Sequence, residues 1–67
     1  MMRWTYRPDE GFTSGRYRIV ATRTAYGIGW MIMRDGREAS ALIFKRPADA
    51  RRLAEWDAGV REQVQRR

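Results

Sequence analysis

Gly27-Ile28-Gly29-Trp30-Met31-Ile32-Met33-Arg34-Asp35-Gly36-Arg37-Glu38-Ala39-Ser40-Ala41-Leu42-Ile43-Phe44-Lys45 is the stretch that decides the fold. At its middle, Asp35-Gly36 is the dipeptide a two-residue type I′ turn prefers, so the segment predicts a hairpin with Arg34 opposite Arg37. Alternation along the two arms then sorts the side chains. Ile28, Trp30 and Ile32 fall on one face with Ala39, Ala41 and Ile43, and Met31 and Met33 fall on the other with Ser40, Leu42 and Phe44. Both faces read apolar. One helix covers only one of them, so the second calls for the N-terminal segment, a second copy of the chain, or a partner.

Upstream, Arg16 to Arg23 reads as a strand in which Tyr17, Ile19 and Ala21 alternate with Arg16, Arg18, Val20 and Thr22. Thr24 to Gly27 turns it into the hairpin, and three strands with short connections make an antiparallel meander. Residues 1–15 are an N-terminal arm or a further strand: Trp4 and Tyr6 share one side of a short alternation that stops at the turn Pro8-Asp9-Glu10-Gly11, and Thr13-Ser14-Gly15 makes a second break. Downstream, Pro47 suits a first helical turn, where its missing N–H costs nothing, and Asp49 puts negative charge near the helix N-terminus. Leu53, Trp56, Val60 and Val64 recur at three- and four-residue spacing as a narrow apolar stripe flanked by Ala50 and Ala54, which predicts a helix over 47–66 with that stripe on the sheet and Trp56 against Trp30. Gly59 marks a bend or an end, whereas the acid-before-base pairs Asp57/Arg61 and Glu62/Arg66 favour continuation. The expected fold is α+β: one domain over 1–67, with a three- to four-stranded antiparallel sheet centred on 16–45 and one C-terminal helix on one face.

The 67 residues contain no cysteine and no histidine. That excludes disulfides, thiolate or imidazole metal sites, thiol nucleophiles and the usual general base. Ser14 and Ser40 have no evident activator, the acids read as turn residues or helix ion pairs, and Gly27-Ile28-Gly29 lacks the spacing of a phosphate loop. No catalytic, cofactor or metal residue is expected. No stretch is apolar enough to span a bilayer and no signal-peptide core is visible, so the expectation is a cytosolic protein without a membrane partner.

The formal charge is +6, and residues 1–46 carry nine basic and four acidic side chains, against five and four in residues 47–67. The positive excess therefore belongs to the sheet and the N-terminus. Arginine far outnumbers lysine, which suits bidentate contact with phosphate or carboxylate; a GC-rich coding bias accounts for the same skew.

Tyr17-Arg18-Ile19-Val20, the glycine before Trp30, Asp35-Gly36-Arg37, and Phe44 followed by Ala48, Ala50, Arg51 and Ala54 resemble the three-strand-plus-helix DNA-binding domain of ethylene-response factors and phage integrase arms, over residues 16–56. That resemblance implies DNA binding through the sheet, with Arg18 and Arg23 on the DNA-facing side. The central strand departs from the family pattern, because Met31 and Met33 stand where polar side chains would read bases.

Methionine, aromatics and arginine with little lysine form the composition of protein interfaces, and an apolar face rimmed by charge marks a contact site. In size and in lacking catalytic residues the chain also resembles anti-CRISPR inhibitors as a class. The expectation is accordingly a small non-enzymatic binding protein of phage or mobile-element type that docks on a protein partner or nucleoprotein complex, an anti-CRISPR-type inhibitor being its sharpest form. A DNA- or RNA-binding domain using strand arginines is the alternative. A homodimer through the apolar face also satisfies the pattern. The candidate contact residues are Arg16, Arg18, Arg23, Tyr26, Met31, Met33, Arg34, Arg37, Lys45 and Arg46. Should Trp4, Tyr6 and Phe12 instead fold over the second face, contacts would shift to the arginine rim and to Arg61, Arg66 and Arg67.

Overall fold

In the computed structural model, which describes residues 2–65, six elements follow one another: β1 (Thr5–Arg7), β2 (Gly11–Ser14), β3 (Tyr17–Thr24), β4 (Gly27–Arg34), β5 (Arg37–Glu38) and α1 (Pro47–Gln65). The strands form one antiparallel sheet in sequence order, β1-β2-β3-β4-β5, so every connection is local. The meander with a C-terminal helix is the expected architecture, and the N-terminal segment enlarges it by two short strands, giving five. The second break falls slightly later than expected, since Thr13 and Ser14 belong to β2 and the chain reverses at Gly15-Arg16.

Arg34 pairs with Arg37 as the turn dictates, and the positive φ values of Asp35 (52°) and Gly36 (79°) are those of a type I′ turn. Beyond it the hairpin departs from a straight ladder. The Ala39 N–H still bonds to the Ile32 carbonyl, but Trp30 then exchanges both backbone hydrogen bonds with Phe44, where a straight ladder would pair it with Ala41. Residues 40–43 bulge outward, and the Ser40 hydroxyl accepts the Leu42 N–H inside the loop. An odd register shift moves the following side chains to the opposite face. Phe44 therefore joins Trp30 and the core, and Ile43 crosses to lie over Gly29, where an added Cβ would meet its methyl group.

The helix lies on the Ile28/Trp30/Ile32 face. Its seam is Ala50 and Ala54, both fully buried, packed with Tyr17, Ile19 and Ile32 and flanked by Leu53 and Ala58. This corrects the expected stripe, because Trp56 is 65% exposed and Val64 68%. Two alanines let the helix approach the sheet closely, which a tryptophan on the same line would prevent. Gly59 does not end the helix, which runs to Gln65. Arg66 and Arg67 lie outside the described residues.

Trp4, Tyr6 and Phe12 do not cross to the methionine face. Tyr6 pairs with Phe12 and Phe12 with Ile19, so these rings extend the helix-covered side. Ring centroids stand 5.0 Å apart for Tyr6 and Phe12 and 5.8 Å for Phe12 and Trp30, and the Arg51 guanidinium caps Phe12 at 4.8 Å.

Candidate functional site

Strand register leaves Thr5 and Arg7 of β1, Thr13 of β2, Arg18, Val20 and Thr22 of β3, and Met31 and Met33 of β4 on the face opposite the helix. No element of the described residues packs over it. Its centre is apolar, with Val20, Met31 and Met33 half-buried by their own neighbours. At one end the twisted sheet forms an open groove of about 720 Å³ lined by Arg7, Thr13, Arg18, Val20 and Met33 together with Glu10, Arg16 and Asp35.

Charge in this groove is mixed. Arg18 Nη2 lies 3.9 Å from Glu10 Oε1, and Arg16 Nε 3.9 Å from Asp35 Oδ1. At that separation and exposure the pairs are loose, and water or a ligand group can replace either partner. The surface is an apolar patch ringed by both signs of charge.

The helix is held away from this face by a polar cluster on the other side. Asp57 Oδ2 accepts hydrogen bonds from the Tyr17 hydroxyl at 2.6 Å, Arg34 Nη1 at 3.2 Å and Arg61 Nε at 3.0 Å. The Tyr17 hydrogen bond holds the Asp57 carboxyl below its ordinary value, with Arg61 and Arg34 adding to the effect against the opposing influence of burial. Burial, then the hydrogen bond to Asp57, raises the Tyr17 phenol. Trp4 Nε1 adds a 3.0 Å bond to Glu55. Together these bonds fix the rotation of α1 about its axis, which directs Asp57 inward and Trp56 outward.

The candidate contact residues fall into separate groups. Arg18, Met31 and Met33 share the open face, and Arg16 stands at its rim. Arg34 is tied to Asp57, and Arg37, its cross-strand partner, shares its side of the sheet. Arg23 pairs with Ile28 and so also belongs to the helix side, contrary to the expectation that Arg18 and Arg23 share one surface. Residues of a strand separated by an odd number point to opposite faces, so both cannot. Tyr26, Lys45 and Arg46 gather at the far end of the sheet, where Tyr26 and Lys45 border a second groove with Ile28 and Ile43.

Arg7, Thr13 and Glu10 were not among the expected contacts. Arg7 was accessible to reasoning, since it alternates with Tyr6, but only β1–β2–β3 pairing places it beside Arg18. Among the described residues no group of three or more acidic, histidine or cysteine side chains is arranged to hold a metal, and no helix is long and apolar enough to cross a membrane. Compared with protein-family models, curated proteins and solved structures, the chain matches none.

Proposed function

We propose that this chain is a non-enzymatic docking protein whose uncovered sheet face binds a protein partner, as an inhibitor of phage or mobile-element type would. The observation that carries this is the make-up of the face: Val20, Met31 and Met33 form an apolar centre, and Arg7, Arg16 and Arg18 stand around it with Glu10 and Asp35. Protein interfaces combine an apolar middle, arginine and methionine, and a polar rim that carries both signs. A phosphate backbone would instead favour a face without carboxylates. Methionine also adapts its shape to a partner surface. The partner this chemistry fits is a protein with an apolar patch bordered by carboxylates and by at least one basic group facing Glu10. The partner read from the sequence, an effector complex that handles nucleic acid and is the target of an anti-CRISPR-type inhibitor, would have to present such a patch.

A DNA- or RNA-binding domain is the second reading. It is favoured by the net charge of +6 and by Arg7 and Arg18 projecting from the face that the resemblance to ethylene-response factors and integrase arms makes the DNA-binding one.

The test is affinity capture from nuclease-treated extract of cells that carry the gene, comparing the wild type with a Met31→Ser/Met33→Ser variant shown by circular dichroism to be folded. A protein held by the wild type after nuclease treatment and lost by the variant is the expected result. Capture that disappears with nuclease, or that both forms support equally, refutes docking through this face.

A further inference from the structure

The β3–β4 tip and the groove beside it form a second surface, remote from the mixed-charge groove and different in chemistry. Tyr26, at the tip, is fully exposed, at 101%. Its backbone is nevertheless held: the Thr24 hydroxyl donates to the Gly27 carbonyl at 2.8 Å and accepts the Tyr26 N–H at 3.1 Å, so the turn that carries the ring is braced. Beside it an open groove of about 900 Å³ is lined by Thr24, Ile28, Gly29, Ile43 and Lys45. Ile28 and Ile43 are 58% and 52% exposed. The apolar floor exists because of Gly29, since a side chain there would push Ile43 aside.

No acidic residue lines this groove. Lys45 lines the groove and Arg46 follows it in sequence, whereas Arg23, the cross-strand partner of Ile28, belongs to the helix side of the same end. None of the three forms a salt bridge among the described residues. Tyr17 to Arg34 contains no acidic residue, and neither does Ala39 to Ala48. Here the cations have no carboxylates to displace, unlike Arg16 and Arg18.

We infer that the tip is a binding site for an unpaired nucleotide of a nucleic-acid strand, with the base stacked on the Tyr26 ring beside the Ile28 and Ile43 groove and the flanking phosphates on Lys45 and Arg46. A braced, exposed aromatic beside an apolar floor offers a stacking platform, and acid-free cations beside it offer counter-charges. A paired duplex keeps its bases stacked on one another and presents only phosphate. The platform therefore selects single strands, bulges and ends. The proposal does not depend on what covers the sheet face, and together the two surfaces suit a protein that docks on a nucleoprotein complex at the point where its nucleic acid emerges.

The test is fluorescence anisotropy with labelled single-stranded and fully paired DNA of equal length, titrated with wild type, Tyr26→Ala, Tyr26→Phe, Lys45→Ala and Met31→Ser/Met33→Ser at two salt concentrations. Tyr26→Ala should weaken single-strand binding by about 5- to 150-fold, the cost of one lost base stack, and leave duplex binding unchanged. Tyr26→Phe should retain affinity, and Lys45→Ala should reduce the salt slope by about 0.7, one phosphate's share on a single strand. The methionine variant should bind as the wild type does. The inference is overturned if Tyr26→Ala binds single strands as well as the wild type, if the methionine variant alone loses affinity, or if the wild type binds no strand. Since Tyr26 buries nothing, its replacement does not threaten the fold.

Discussion

Replacing Asp57 with alanine should destabilise the fold by about 1.5–4.5 kcal/mol, through one atom. Asp57 Oδ2 is the acceptor for Tyr17, Arg34 and Arg61 together. The largest share comes from Tyr17, which is 7% exposed: its hydroxyl loses the only partner it has on the helix, and a buried unsatisfied hydroxyl costs about 1–3 kcal/mol. The pairs with Arg34 and Arg61 are partly exposed and contribute together about 0.5–1.5 kcal/mol after screening. A domain of this size has roughly 3–10 kcal/mol of total stability, so the loss is a large part of it and should lower Tm by about 10–30 °C. Urea unfolding followed by far-ultraviolet circular dichroism at pH 7 measures it. A double-mutant cycle isolates the cause: in a Tyr17→Phe background no hydroxyl is stranded, so Asp57→Ala should then cost only about 1 kcal/mol. A loss below about 0.5 kcal/mol in the wild-type background, or an equal loss with and without the hydroxyl, would refute the role assigned to this cluster.

The same cluster sets the pH dependence. Asp57 titrates lower in the folded chain than its ordinary 3.8, so its contribution is complete above that value and disappears as pH falls through the folded value; a thermal melt series should show an acid limb below about pH 4 that Asp57→Asn removes. Tyr17 titrates above 10.0 when folded, so its contribution is complete below pH 10 and is lost as pH rises through the folded value, giving an alkaline limb absent from Tyr17→Phe. Ala54→Leu should lower stability by about 1–3 kcal/mol in the same urea assay, because the side chain it enlarges is fully buried between helix and sheet. Gly11→Ala should be worse than an ordinary turn substitution: φ is +79° and the new Cβ would collide with the Ile19 backbone carbonyl, so β1 and β2 should lose amide-exchange protection.

The turn chemistry was legible in the sequence. Asp35-Gly36 determines the Arg34/Arg37 pair, and Pro47 with Asp49 determines where the helix begins. Alternation likewise placed Met31 and Met33 on one side of β4. The other arm of the hairpin was not legible, because alternation assumes an unbroken ladder and the bulge at residues 40–43 breaks it. Nothing in Ala39-Ser40-Ala41-Leu42 alone distinguishes the two; the gain is tertiary, in that Phe44 reaches the core. Helix rotation was misread for a related reason. A hydrophobic stripe weights Trp56 and Val60 by size, whereas close approach favours Ala50 and Ala54, and the orientation is fixed by Asp57 meeting Tyr17 and Arg34 across the molecule. The arginines looked equivalent in sequence because charge carries no information about its neighbours. In the fold Arg34 is occupied by Asp57, Arg18 stands near Glu10, and Arg23, Lys45 and Arg46 form no salt bridge among the described residues.

The most direct measurement of the proposed docking is hydroxyl-radical footprinting of the chain alone and in the complex captured from nuclease-treated extract. Docking through the uncovered sheet face predicts strong modification of Met31 and Met33 in the free chain and protection of both in the complex, with Trp56 equally reactive in each. Protection of Trp56 and Val60 while Met31 and Met33 remain reactive would contradict it, and would place the partner on the helix.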